Sequence, residues 1–130
     1  MIAPFDPRSA SMLQDMEAPT DNPSAGFETI SMRAAVVAGR IAWQRHALQR
    51  MVEREIQRSS VKSVLLSGDL IEDYPGARPF SSALFLGWEG HRPLHVVVAF
   101  DGISRQTFII TVYEPTLARF EPGFRKRRRT

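Results

Sequence analysis

Residues 94–100 read Leu94-His95-Val96-Val97-Val98-Ala99-Phe100, a run of β-branched and apolar side chains broken only by His95. Successive side chains of a strand point to opposite faces, so a run apolar on both faces belongs in the middle of a sheet. Working outward, Leu70 to Tyr74, Ala83 to Trp88 and Thr107 to Tyr113 have the same strand-like composition. Glu89-Gly90 and Asp101-Gly102 supply hairpin turns between them. Short connections favour antiparallel neighbours, so the second half of the chain reads as a four-stranded antiparallel meander with residues 94–100 at its centre.

Before Gly68 the period is helical. Met32 to Ala38 form a first helix that Gly39 ends, and Trp43 to Gln57 a second, stronger one. At 100° per residue Ala47, Leu48, Met51 and Val52 fall on one side of that second helix. His46, Arg50, Glu53, Arg54 and Gln57 fall on another. Ser59 or Ser60 then caps a third helix, Val61 to Leu66. Helices first and strands after give an α+β fold, with N-terminal helices packed on the sheet in two layers.

The chain has 130 residues, no cysteine and a hydrophobic fraction of 43%. That is one apolar-cored domain without disulfides or a thiolate metal site. Residues 1–31 carry four prolines and no periodicity, and read as a flexible acidic leader to a domain at 32–124. The charge follows the same division. Residues 1–32 hold one base against five acids, whereas the remainder holds 16 bases against nine. The formal net charge of +3 therefore covers a basic domain behind an acidic segment, and 15 of the 17 bases are arginine, which grips phosphate or carboxylate with a planar fork. No stretch approaches the roughly 20 apolar residues of a membrane span and the first residues lack the order of a secretion signal, so a cytoplasmic location is expected.

Three groups of residues can carry chemistry. His46 shares a helix face with Arg50 and Arg54, a titratable ring beside two fixed cations. Glu72-Asp73-Tyr74-Pro75-Gly76-Ala77-Arg78-Pro79 sets an acid, a phenol and an arginine in one stiff loop, the groups that cleavage of RNA by its own 2′-hydroxyl requires. Tyr113-Glu114 forms a second acid and phenol pair. Arg125 to Arg129 are five consecutive bases, read as a solvated basic tail at 125–130 whose start Phe120 and Phe124 pin to the domain. His91 and His95, four apart in a strand or turn, lack metal-ligand spacing, so no metal and no cofactor is expected.

His46-Ala47-x-x-Arg50-Met51-x-x-Arg54-x-Ile56, Gly68-x-x-Ile71-Glu72-Asp73-Tyr74-Pro75, Arg78-Pro79, Leu86-Gly87, Arg92-Pro93-Leu94-His95-Val96-Val97 and Ile110-Thr111-Val112-Tyr113-Glu114-Pro115 together resemble a bacterial family of small proteins, domain of unknown function 4258. The resemblance covers about residues 40–128 and departs from the pattern at Glu55, where a glycine is expected, and in the long leader, which the family does not lead one to expect. The family is similar in outline to toxins of the RelE and MqsR type, small basic domains that cut mRNA, and its members are often encoded beside a zinc-finger protein resembling an antitoxin. The resemblance implies a toxin-like domain of a toxin–antitoxin pair that binds RNA, with metal-independent cleavage as its candidate reaction. His46 or Glu72 would be the base, Tyr74 or His95 would hold or protonate, and Arg50, Arg54 and Arg78 would neutralise phosphate. The rival is a non-catalytic module whose arginine face docks an acidic or antitoxin-like partner. General nucleic-acid binding by the tail is a third reading.

Overall fold

The computed structural model describes residues 26–129 of the chain. The acidic leader expected over residues 1–31 falls for the most part outside the described residues. Its last few residues are already built into the domain. Phe27 is buried and its N–H donates to the Asp73 carboxylate at 3.0 and 3.2 Å. The first helix starts ahead of Met32.

Among the described residues the elements are α1 (Thr29–Val37), β1 (Ile41–Trp43), α2 (Arg45–Glu53), α3 (Arg58–Ser67), β2 (Asp69–Tyr74), β3 (Ser82–Glu89), β4 (Arg92–Asp101) and β5 (Gln106–Tyr113). The fold is α+β, three helices against one sheet. The expected four-stranded antiparallel meander is corrected to a five-stranded mixed sheet ordered β1-β5-β4-β3-β2. β1 was read as part of the helical half. Ile41, Ala42 and Trp43 instead pair in parallel with Thr107, Phe108 and Ile109, a strand too short to show its own period. The four anticipated strands do pair antiparallel in sequence order, with β4 between β3 and β5.

The helix limits move for local reasons. Trp43 is a strand residue and extended Gln44 caps α2, which stops at Glu53 rather than Gln57. Neither Ser59 nor Ser60 caps α3, which starts at Arg58 after an extended Gln57. The Ser59 hydroxyl reaches Gln57 Oε1, and that of Ser60 reaches Glu89. α1 closes as expected at Gly39. With φ at +80°, Gly39 donates to the Val36 carbonyl at 3.1 Å and Arg40 to that of Ala35 at 2.8 Å, the paired bonds of a left-handed helix end.

The helices cover one face of the sheet. Met32, Ala35, Ala47, Met51, Val61 and Leu65 pack there on Phe85, Val96, Val98, Ile109 and Val112. β4 is buried on both faces, as its composition requires. The second face carries Tyr74, Leu84, Val97, Ala99 and Ile110. Bulges adjust which side chains reach it. Leu70 pairs with Phe85 but Glu72 with Leu84, so Ile71 is extra. Val97 pairs with Thr111 but Val98 with Ile109, so Ile110 is extra and Thr111 and Tyr113 are brought onto the second face.

The chain beyond β5 folds back over one end of this second face. Glu121-Pro122-Gly123-Phe124 form a turn closed by the Phe124 N–H on the Glu121 carbonyl at 2.9 Å, with proline at its second position and Gly123 at φ +92° at its third, as a type II turn demands. Phe120 then pairs with Arg127, and the Arg128 N–H reaches the Arg119 carbonyl at 2.9 Å. Phe120 is fully buried on the sheet.

Candidate nucleic-acid interface

Three positions four residues apart on a helix lie nearly one above another. α2 and its C-terminal residue therefore present His46, Arg50 and Arg54 as an exposed row. That row is one wall of a groove of about 400 Å³. Arg119, Phe120 and Arg127 of the folded-back segment form the opposite wall, and Thr111 and Tyr113 of β5 form the floor. Glu114 also lines the groove, but its carboxylate faces Arg92 at 3.9 Å. Arg50 is 4.0 Å from Glu53, an exposed pair of little strength. The groove is cationic on both walls.

Arg92 fixes the helical wall. Its guanidinium donates to the carbonyls of Arg54 and Glu55 at 3.1 Å each and lies 3.3 Å from Glu89, tying the end of α2 to β4. The other wall is fixed by Arg127. Its Nε donates to Glu72 Oε2 at 2.8 Å and its Nη2 to Oε1 at 3.1 Å, a two-pronged pair, and the guanidinium lies 5.0 Å over the Phe120 ring. Glu72 also accepts the Tyr74 hydroxyl. Burial, reinforced by Glu72, pushes the Tyr74 phenol well above its ordinary range.

Under the floor lies His95. Its Nε2 is 2.8 Å from the Phe124 carbonyl, which can only accept, so Nε2 carries the proton. Nδ1 is then the acceptor, 3.1 Å from the Tyr113 hydroxyl that donates to it. Burial lowers the His95 pKa to about 4, and burial also raises that of Tyr113. The Tyr113 proton is thus turned inward, and its oxygen can offer only lone pairs to the groove.

The structure places the sequence-derived site residues in three locations. His46, Arg50 and Arg54 stand together in the groove, joined by Tyr113 and Glu114. Glu72, Tyr74 and His95 are gathered on the second face, with Glu72 behind Arg127 and His95 wholly enclosed. Arg78 is exposed in the loop before β3, at the end of the sheet where Ser82 pairs with Ala99, and does not line the groove. The five C-terminal bases are largely engaged. Arg125 pairs with Asp69 at 2.7 Å, Lys126 lies 3.9 Å from Glu121, Arg127 holds Glu72, and the Arg128 side chain donates to the Leu117 carbonyl.

Sequence reasoning missed Arg119 and the role of Arg127. Both reach the groove through the Glu121-Pro122-Gly123-Phe124 turn, and that proline and glycine pair was the available signal. Among the described residues no helix is long and apolar enough to cross a membrane.

No curated protein and no solved structure matches the chain. The profile of one family, Domain of unknown function (DUF4258), matches residues 43–114, from the last residue of β1 to the floor of the groove. That match spans more than half of the chain, and the protein belongs to this family of domains of unknown function.

Proposed function

We propose that the protein is a toxin-like RNA-binding domain that seats the sugar–phosphate backbone in the groove between α2 and the folded-back segment. The observation that carries this reading is the convergence of Arg50, Arg54 and Arg119 with His46 around one cleft, from segments far apart in sequence. Arginine forks suit phosphate oxygens, and a cleft cationic on both walls attracts a polyanion. Cleavage is the catalytic extension of this reading. His46 takes the 2′-hydroxyl proton, the 2′-oxygen attacks phosphorus, the P–O5′ bond breaks to leave a 2′,3′-cyclic phosphate and a 5′-hydroxyl protonated from solvent, and Arg50, Arg54 and Arg119 offset the charge that develops. The enclosed His95 has no access to substrate and acts by holding Tyr113 and Phe124 in place.

The test is fluorescence anisotropy with short labelled RNA, followed by a cleavage assay in chelator. Arg50→Ala combined with Arg54→Ala should weaken binding by roughly tenfold or more at low salt while leaving the urea midpoint unchanged. His46→Ala should spare binding and abolish formation of 2′,3′-cyclic phosphate ends. An absence of RNA binding by the wild type would sink the proposal, whereas binding without cleavage would restrict it to recognition.

One observation favours a second reading, docking of an acidic, antitoxin-like protein. On its other flank α2 borders an apolar hollow of about 510 Å³ lined by Leu48, Met51 and Ile56, beside Val52 at 80% exposure. RNA has no use for that surface. A protein partner covering both flanks would compete with RNA for the arginine row, and the competition is measurable in the same anisotropy assay once the partner is in hand.

A further inference from the structure

Trp88 is 52% exposed, although tryptophan is the side chain with the most apolar area to hide. It lies at the end of β3, on the same face as Leu84 and Leu86 and therefore on the face that the C-terminal segment covers. The Phe124 ring meets it edge to face, with centroids 6.1 Å apart. Phe124 is itself held in place: its carbonyl accepts from His95 and its backbone sits at φ +61°, a conformation that a bulky side chain enters only where its surroundings impose it. Arg125 follows directly, pairs with Asp69 across the adjoining strand edge and keeps 57% of its side chain exposed.

The position relative to the groove follows from the ladder. Tyr113 of the groove floor pairs with His95, His95 with Leu86, and Trp88 is two residues beyond Leu86. Two strand spacings and two residues place Trp88 about 12 Å from the floor. The folded-back segment links the two places, with Arg127 and Phe120 facing the groove and Phe124 against Trp88.

We infer that Trp88, backed by Phe124, is a stacking platform for an unpaired base of the RNA whose backbone the groove holds, which makes single-stranded RNA the ligand. The inference rests on the RNA-binding reading above. Every base offers a π face, so an exposed indole beside a phosphate-binding cleft gains affinity from an unpaired base without reading its sequence. In duplex RNA the bases are stacked on each other and the platform has nothing to take.

Trp43 is the other tryptophan in the chain, so a Trp43→Phe background reports Trp88 fluorescence alone. Oligoadenylate should quench this signal, saturating at the concentration seen by anisotropy, and a duplex of matched length should bind more weakly and leave it unquenched. Trp88→Ala should lower single-strand affinity by roughly tenfold, and Trp88→Phe should recover most of it. The salt dependence should be the same in both variants, because no cation is removed. Arginine-dependent binding with no quenching and no loss in Trp88→Ala overturns the platform and leaves the RNA reading standing. Equal affinity for duplex overturns the single-strand assignment, and no RNA binding at all overturns both.

Discussion

His95 sits on the central strand with no exposed surface, both ring nitrogens engaged and its pKa lowered to about 4. In an unfolded chain the ring would titrate near 6.5. Between these values the unfolded state binds a proton that the native state does not, so stability rises with pH. The contribution is complete above about pH 6.5 and is lost as pH falls toward 4, amounting to about 3 kcal/mol over the window. Asp73, whose carboxyl is pushed up by burial, changes in the opposite sense in the carboxylate range. The contrast with His95→Gln isolates the imidazole, because glutamine keeps a donor and an acceptor but does not titrate. Urea unfolding at pH 7 and at pH 4.5 should show a much smaller acid loss in the variant. An equal loss in both proteins would mean that the ring is not held neutral. In the sequence His95 is a lone polar letter in an apolar strand, and its role was not legible there. Its acceptor, the Phe124 carbonyl, arrives from 29 residues away through a turn that no periodicity announces.

At the scale of elements, α1 and α2 end in the same way with different residues. After α2 the Ile56 N–H donates to the Met51 carbonyl at 2.8 Å and the Glu55 N–H to that of Val52 at 3.3 Å, the pair of bonds that Arg40 and Gly39 make after α1. Glu55 takes the left-handed position at φ +55°, where Gly39 stands at +80°. Glu55, where the resemblance to the family expects a glycine, therefore stands where a Cβ is costly. Glu55→Gly should raise stability by about 1 kcal/mol and the melting temperature by several degrees, whereas Glu55→Ala should change little because alanine is strained there too. Thermal denaturation of the three proteins decides it, and a destabilised Glu55→Gly would refute the strain argument. Elements with a clear period were legible in the sequence: β2 to β5 from their composition and turns, and α2 from its two-sided pattern. β1 was not, because three residues between Arg40 and Gln44 are too few to show a period and its partner β5 lies more than 60 residues away. Two walls of the groove differ for the same reason. Helical spacing revealed His46, Arg50 and Arg54, whereas Arg119 and Arg127 depend on a hairpin without periodicity.

At the scale of the whole molecule, the most conspicuous cluster of basic charge is largely paired with acids. The longest basic run, residues 125–129, is the feature that composition singles out for binding phosphate, yet Arg125, Lys126 and Arg127 face Asp69, Glu121 and Glu72. A cation that already faces an acid releases few counterions when RNA arrives, since its displacement uncovers the acid. Within the groove, among the described residues, Arg54 and Arg119 face no acid and Arg50 is held only by its weak, exposed pair with Glu53, so these three, on opposite walls, are the cations offered to the proposed RNA ligand. For single strands the logarithm of affinity falls with the logarithm of salt concentration by about 0.7 per phosphate neutralised, so three arginines give a slope near −2. Arg50→Ala, Arg54→Ala and Arg119→Ala should each make the slope shallower by about 0.7, whereas Arg125→Gln should leave it nearly unchanged. Deleting residues 125–130 would not discriminate, because it also removes Arg127 from Glu72 and loosens the wall that carries Arg119. Point substitutions separate the two sources of charge. A slope that responds to Arg125 and not to Arg50 would move the binding surface from the groove to the C-terminal run, and with it the assignment of His46 to the reacting phosphate.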